Sequence, residues 1–394
     1  MAPLGPFGPA PSLMAAVSGG PHSLALGWLA ARWAAGRGGR LLAAVCDHGL
    51  RPDSAAEAAH VLALLAGQGI PARLLSLGLP PGPALQERAR TARLAALLRL
   101  SAEAGAPWLL LGHHRADQAE TLLLRALAGS GAAGMAAMAP TRAEAPALLL
   151  RPLLGVAPAR LEATLAAAGL VPVRDPSNTD PRFTRARLRA ALADPGGEGE
   201  ATRALAAAAG YFAARRAVAT AAVAARLAAA ARLHEAGFAR LDRAALGADA
   251  VAVAALGALI RLVGGGRFAP PEAGVARLLA AGQGTLGGAV LRRDGLLLRE
   301  AVSLAPPMPA RPGAVWDRRF RLARLGSDCF EIGAAGEAAR RLPRPADIPA
   351  AVAPTLPALY RDGTLAVVPA LSYPSEDAAR RHALVFAPGA GAVV

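Results

Sequence analysis

Between residues 13 and 150 the chain alternates short apolar runs with longer stretches whose apolar positions recur at helical spacing. The runs 13–18, 41–46, 73–77, 108–112 and 147–150 read as strands. The stretches 23–35, 54–68, 84–104 and 117–128, with Arg and Glu between their apolar positions, read as helices. This alternation predicts an α/β fold: a parallel twisted sheet with helices on both faces and ligands at the carboxyl ends of the strands. The polar clusters fall at those ends, at Ser18 to Ser23, Asp47-His48-Gly49 and His113 to Asp117.

A Pro/Gly/acidic break, Asp194 to Glu200, closes this pattern. Residues 201–236 are Ala-rich, with Arg203, Arg215, Arg216, Arg226 and Arg232, and read as one long helix or a helix pair. A small mixed unit, 241–300, and a Pro-rich, β-containing tail, 301–394, follow. The expected organisation is a first domain over 1–195, a helical linker over 196–240 and a C-terminal region over 241–394. No internal repeat is visible.

Composition narrows the partner. A chain of 394 residues, 54% hydrophobic, is long enough for two or three domains, since single cores stop growing at about 250 to 300 residues. The formal charge of +15 comes from arginine alone, because the chain contains no lysine. Such a surface attracts a polyanion, although GC-rich coding also enriches Arg and Ala. Four Trp and three Tyr leave few stacking platforms for bases. Cys46 and Cys329 stand far apart and build no disulfide framework, zinc site or CxxC pair. Met1 to Leu13 lacks the basic and apolar regions of a signal peptide, and no uncharged apolar run reaches the roughly 18 to 20 residues of a membrane helix. A cytoplasmic protein with no membrane contact is expected.

Ser18-Gly19-Gly20-Pro21-His22-Ser23, between the first strand and an expected helix start at Ser23, has the form of a phosphate turn: glycines bring amides to the anion, and serines add hydroxyls. It lacks the Gly-Lys-[Ser/Thr] ending of a Walker A loop. It is followed by Cys46-Asp47-His48-Gly49-Leu50-Arg51-Pro52, Ala84-Leu85-Gln86-Glu87-Arg88-Ala89-Arg90 and Gly112-His113-His114-Arg115-Ala116-Asp117-Gln118-Ala119-Glu120-Thr121. Gly129-Ser130-Gly131, Arg151-Pro152-Leu153-Leu154 and Asp175-Pro176-Ser177-Asn178-Thr179-Asp180 complete the series, with Phe183, Arg185, Arg187 and Arg189 just beyond. In this order and spacing the chain resembles the tRNA(Ile)-lysidine synthase family, of the N-type ATP pyrophosphatases, which share a Rossmann-like PP-loop fold. The resemblance is strong over 13–195. Weaker matches at 262–266, 284–288, 299–300, 316–317 and 355–357 resemble the short alphaproteobacterial form.

The resemblance implies ligation of free L-lysine to C2 of the wobble cytidine in an isoleucine tRNA with a CAU anticodon. ATP and Mg²⁺ are the implied cofactors, and 241–394 the implied tRNA-recognition region. It assigns Ser18, Gly19, Gly20, Pro21, His22, Ser23, Asp47 and His48 to nucleotide binding, and Asp117, His114 and His22 to catalysis. Asp117 and Asp47 are assigned to the metal, and Arg88, Arg125, Arg151, Asn178, Arg185 and Arg189 to substrate and tRNA. Plainer roles stand beside these: Asp47 as a turn residue, His113-His114 as a helix start, and Arg125 and Arg151 solvated or bound to carbonyls. Arg185, Arg187 and Arg189 spread around a helix, so some of them face solvent.

Three positions depart from the family pattern. His22 stands where the family has Asp, Ala116 replaces the first Asp of a pair, and Leu94 replaces a Tyr. Mg²⁺ prefers oxygen, so imidazole is a poor substitute and Ala116 offers no ligand. The readings are therefore a working synthase in which His22 contacts phosphate directly, or a tRNA- and ATP-binding homologue without turnover. A third is another ATP pyrophosphatase: the missing CxxC argues against a tRNA thiolase, and the 113–131 and 175–189 motifs argue against GMP and asparagine synthetases.

Overall fold

The computed structural model describes residues 1–47, 49, 54–78, 80, 82–83, 85–144, 146–173, 182, 184–326 and 329–388. They divide into two compact units, Met1–Arg216 and Ala217–Val394.

The first unit follows the alternation read from the apolar pattern. Its elements are β1 (Ser12–Ala16), α1 (Pro21–Ala35), β2 (Arg40–Asp47), α2 (Ser54–Gly67), β3 (Ala72–Ser76), α3 (Leu85–Glu103), β4 (Trp108–Leu110) and α4 (Arg115–Leu127). The short α5 (Ala132–Met135), β5 (Thr141–Glu144), β6 (Ala147–Leu150), α6 (Pro158–Ala167) and α7 (Thr184–Leu192) follow. Six strands form one sheet in the order β3-β2-β1-β4-β6-β5, parallel except for β5. Along β1, Leu13 and Ala15 enter a core with α1, α2 and α6, while Met14 enters a second core with Leu97 and Leu100 of α3. Alternate side chains of a strand point to opposite faces, so these two cores place helices on both sides of the sheet.

β5 and α6 lie outside the expected strands and helices. β5 is an antiparallel edge strand whose Thr-Arg-Ala-Glu is exposed over its first three residues, and α6 buries one stripe, Pro158, Leu161 and Leu165. The first helix begins at Pro21 rather than Ser23, because proline fits the first helical position, where the missing N–H has no intrahelical partner.

The Ala-rich segment is one helix, α8 (Glu200–Ala230), and it ends six residues before the expected 236. Ala231–Leu233 instead forms β7, which turns back through His234 to Phe238 to pair with β8 (Ala239–Leu241). Gly237, at φ +79, closes that turn.

In the second unit α9 (Arg243–Leu246), α10 (Ala250–Gly264) and α11 (Glu272–Ala281) precede β9 (Gly284–Leu286), β10 (Ala289–Leu291) and β11 (Leu296–Arg299), and α10 and α11 pack on the sheet β7-β8-β11-β10-β9. A Cβ on Gly264 would collide with the Gly287 carbonyl, which explains why glycines at 264–266 and 287–288 belong together. Two further antiparallel sheets lie C-terminal to these.

Asp317 is the buried link of this unit. Its carboxylate accepts bonds from Arg299 Nε at 2.9 Å and Nη2 at 2.8 Å, from Arg319 Nε at 2.8 Å and from the Ala305 amide at 3.0 Å. Removing one member of such a network leaves uncompensated buried charge. Asp317→Ala is expected to lower stability by about 3–5 kcal/mol, measured by denaturant unfolding.

Candidate active site

In the strand order, β1 lies between β2 and β4, and the chain runs outward to β3 before returning on the other side of β1. The carboxyl ends of β1 and β4 are therefore the switch point of the sheet, where an open α/β fold leaves a crevice for a ligand. The turn after β1 carries residues 18–23, and the turn after β4 carries His113 and His114. Gly112 lets them meet: a Cβ there would lie 3.0 Å from Ser23 Cα and 3.3 Å from the His22 carbonyl oxygen.

Ser23 latches the turn. Its hydroxyl accepts from the Ser18 amide at 3.1 Å, donates to the Gly20 carbonyl at 3.0 Å and lies 3.1 Å from the Ser18 hydroxyl. Gly19 sits at φ +83, and a Cβ on it would strike Val61. The first intrahelical bond of α1 runs from Leu24 N to Gly20 O at 3.0 Å. The His22 and Ser23 amides precede that bond and open, with the positive end of the helix dipole, toward an anion.

The ring of His22 meets that of His114 edge-to-face, with centroids 4.1 Å apart. His114 is the N-cap of α4 and is 6% exposed. Asp117 returns to the same helix start: one oxygen accepts the His114 amide at 2.9 Å and lies 3.5 Å from His114 Nε2, while the other lies 4.0 Å from Arg189 Nη2. Nε2 of His22 and Nδ1 of both His113 and His114 are buried without a hydrogen-bond partner among the described residues. Burial holds each of these imidazoles down, to about 4. At His22 the His114 ring adds to the effect; at His113 Asp117 opposes it while Arg151, Arg185 and Arg90 reinforce it; at His114 Arg189 reinforces it. All three are neutral at pH 7, each with an N–H on one ring nitrogen and a lone pair on the other.

The arginines expected at substrate part company. Arg189 donates from Nε to Glu120 Oε1 at 2.6 Å and from Nη2 to Oε2 at 3.0 Å, a bidentate pair on a carboxylate with no exposed surface. Burial raises Glu120 in spite of those bonds, and the bonds raise Arg189. Arg151 is 8% exposed and donates Nη1 to the Ala139 carbonyl at 2.8 Å, so it braces a loop. Arg88 donates to the Pro80 carbonyl at 3.0 Å. Arg125 is exposed in the last turn of α4. Arg185 is half-buried; burial lowers Arg90, with Arg185, Arg93 and Arg142 adding to it, and lowers Arg151, with Arg142 and Arg90 adding to it, while Arg151, Arg185 and Arg90 act on His113. His48 and Asn178 lie outside the described residues.

The expected metal pair does not fit. Asp47, at the end of β2, accepts the Gly49 amide on Oδ1 at 2.8 Å, as a turn residue does. Both oxygens of Asp117 are directed to the α4 start and to Arg189. Among the described residues no three His, Cys, Asp or Glu side chains converge to hold a metal ion. Ala116 is 8% exposed, and a Cβ on Gly197 would come within 3.6 Å of its methyl, so that position is packed under the 194–199 turn.

Glu120 and Gly112 stand in the 112–121 motif, and the motif alone assigns them no role. Glu120 lies three residues after Asp117, on the same helix face, and that spacing was the available signal. Glu162, whose Oε1 is 3.8 Å from His22 Nε2, gave none, because α6 itself went unread.

Comparison with known proteins matches the PP-loop domain to residues 5–195. A tRNA(Ile)-lysidine synthase of Bradyrhizobium sp. is 50% identical over 204 residues, 51% of this chain and 57% of that relative, so this match spans little more than half of the relative's length. One from Methylobacterium sp. is 44% identical over 326 residues, 78% of this chain and 92% of the relative. The chain belongs to the tRNA(Ile)-lysidine synthase family. A second relative, from Methylobacterium nodulans, is 41% identical over 79% of this chain and 94% of its own length. The glycine turn after β1 and the helix α1 that follows it lie within the matched PP-loop domain. No helix among the described residues is long and apolar enough to cross a membrane.

Proposed function

We propose that this protein joins lysine to the wobble cytidine of the CAU-anticodon isoleucine tRNA. The carrying observation is the meeting of the PP-loop with the His113–Asp117 turn at the switch point, in a chain 44% identical to a synthase over 92% of that relative's length. In the first step O2 of the cytidine attacks the α-phosphorus of ATP, and the bond to the β-phosphate oxygen breaks to release pyrophosphate. In the second, the ε-amine of lysine attacks C2 and the C2–O2 bond breaks, so AMP leaves with that oxygen and the amine nitrogen gives up its proton. Lysidine then pairs with A rather than G.

The residues divide the work. The first-turn amides of α1 and the serine-latched turn hold the phosphates. Neutral His22 and His114 donate N–H bonds toward charge developing on the α-phosphate. Arg90, Arg142 and Arg185 supply positive potential on the His113 side, where the tRNA backbone approaches. The second unit, also arginine-rich, is the proposed region for the rest of the tRNA.

The purified chain, ATP, Mg²⁺, labelled lysine and the CAU transcript are expected to give labelled tRNA, and a transcript with U at the wobble position none. The competing reading, a homologue that binds ATP and tRNA without turnover, draws on the lack of a donor set for Mg²⁺ among the described residues. Unlabelled tRNA with binding intact is its signature.

A further inference from the structure

The PP-loop crevice contains three buried imidazole nitrogens without partners, on His22, His113 and His114. A buried polar group left unpaired is costly, and in the tautomers that put the N–H on these atoms the three call for a ligand that supplies acceptors. His114 is more than nine-tenths buried, its ring lies against that of His22, and His22 belongs to the first turn of α1, where amides already open toward an anion. Donors dominate here. The carboxylates facing His22 are Asp117, whose two oxygens are already directed elsewhere, and Glu162, at 3.8 Å, and they form no three-donor cluster with the imidazoles.

We propose that this protein holds the nucleotide's phosphates through its own N–H donors, the α1 amides with His22 and His114, with no carboxylate set for a bridging metal among the described residues, so that nucleotide affinity is independent of Mg²⁺. A divalent ion enters only as the nucleotide's own counter-ion. Imidazole N–H groups satisfy phosphate oxygens without adding negative charge, whereas carboxylates beside phosphate need a cation between them. The inference rests on the reading of this crevice as the ATP site, and the experiment separates the two.

ATP, and inorganic pyrophosphate as a second probe, are titrated calorimetrically into the full chain in excess EDTA and in excess Mg²⁺. The dissociation constants are expected to agree within about threefold. Tightening of more than about tenfold by Mg²⁺ overturns the inference and leaves the ATP site standing. No binding of either probe in either buffer overturns the ATP site itself. His22→Asp is expected to weaken ATP by more than about tenfold in EDTA, with most of the loss recovered by Mg²⁺; the same affinity as the parent in EDTA counts against the proposal. Should the Asp variant fail to fold, His22→Ala serves, losing about tenfold in both buffers alike. A loss confined to the Mg²⁺ buffer would sink the idea.

Discussion

Between about pH 6.5 and pH 4 the unit that carries the site, Met1–Arg216, is expected to lose on the order of 5 kcal/mol of stability. His22, His113 and His114 titrate at about 4 in the folded protein against 6.5 for an ordinary imidazole. Above 6.5 both states are neutral and the groups contribute no pH dependence. Below it the unfolded chain takes up protons that the folded one refuses, so stability falls with pH until about 4, where folded imidazoles protonate as well. Each shift corresponds to about 3 kcal/mol for the well-buried His113 and His114, and to less for His22, whose side chain is 26% exposed. The three are neighbours, so the total falls short of their sum. Thermal unfolding from pH 8 to 4.5 checks this: a plateau down to about 6.5 and a steep fall below it are expected. A flat profile between 7 and 5 contradicts the burial of these rings, and His114→Asn is expected to make the slope shallower.

Glu120→Gln is expected to cost about 3 kcal/mol of stability and to lower turnover by about 10²-fold. Glu120 is wholly buried, and its two bonds to Arg189 tie α4 to α7, which also carries Arg185. The amide keeps the shape but accepts at one atom only, and it leaves the guanidinium, 39% exposed, without its counter-charge. Because α7 lies over the α4 start, a small shift moves Arg189 relative to Asp117 and the His22–His114 pair. The measurement is a double-mutant cycle with Arg189→Met. A coupling of about 2 kcal/mol or more is expected, with the double variant more stable than the sum of the singles predicts. Additive losses would mean that the pair is incidental.

Much of this architecture was legible before folding. The alternation from β1 to α4 and the glycine turn are local features, set by the period of apolar residues and by turn chemistry. The misses were equally physical. β5 is a polar edge strand paired on one side only, so it needs no apolar face. The Ala-rich helix stops at Ala230 because the next residues find a partner strand, and alanine composition holds no record of that pairing.

The sequence by itself determined the fold class, the family and the place of the glycine turn. The fold class and the turn depend on spacing within a few dozen residues, where backbone geometry alone relates position to structure, and the family on the order of such local motifs along 13–195. Only the tertiary structure decided how the site's charges are spent. It sent Arg189 to Glu120, 69 residues away, turned Asp117 back on its own helix, packed Ala116 under a distant turn, and brought the rings of His22 and His114 into contact. Those outcomes follow from β1 and β4 being neighbours at the switch point, because strand order places side chains within reach that no local pattern relates.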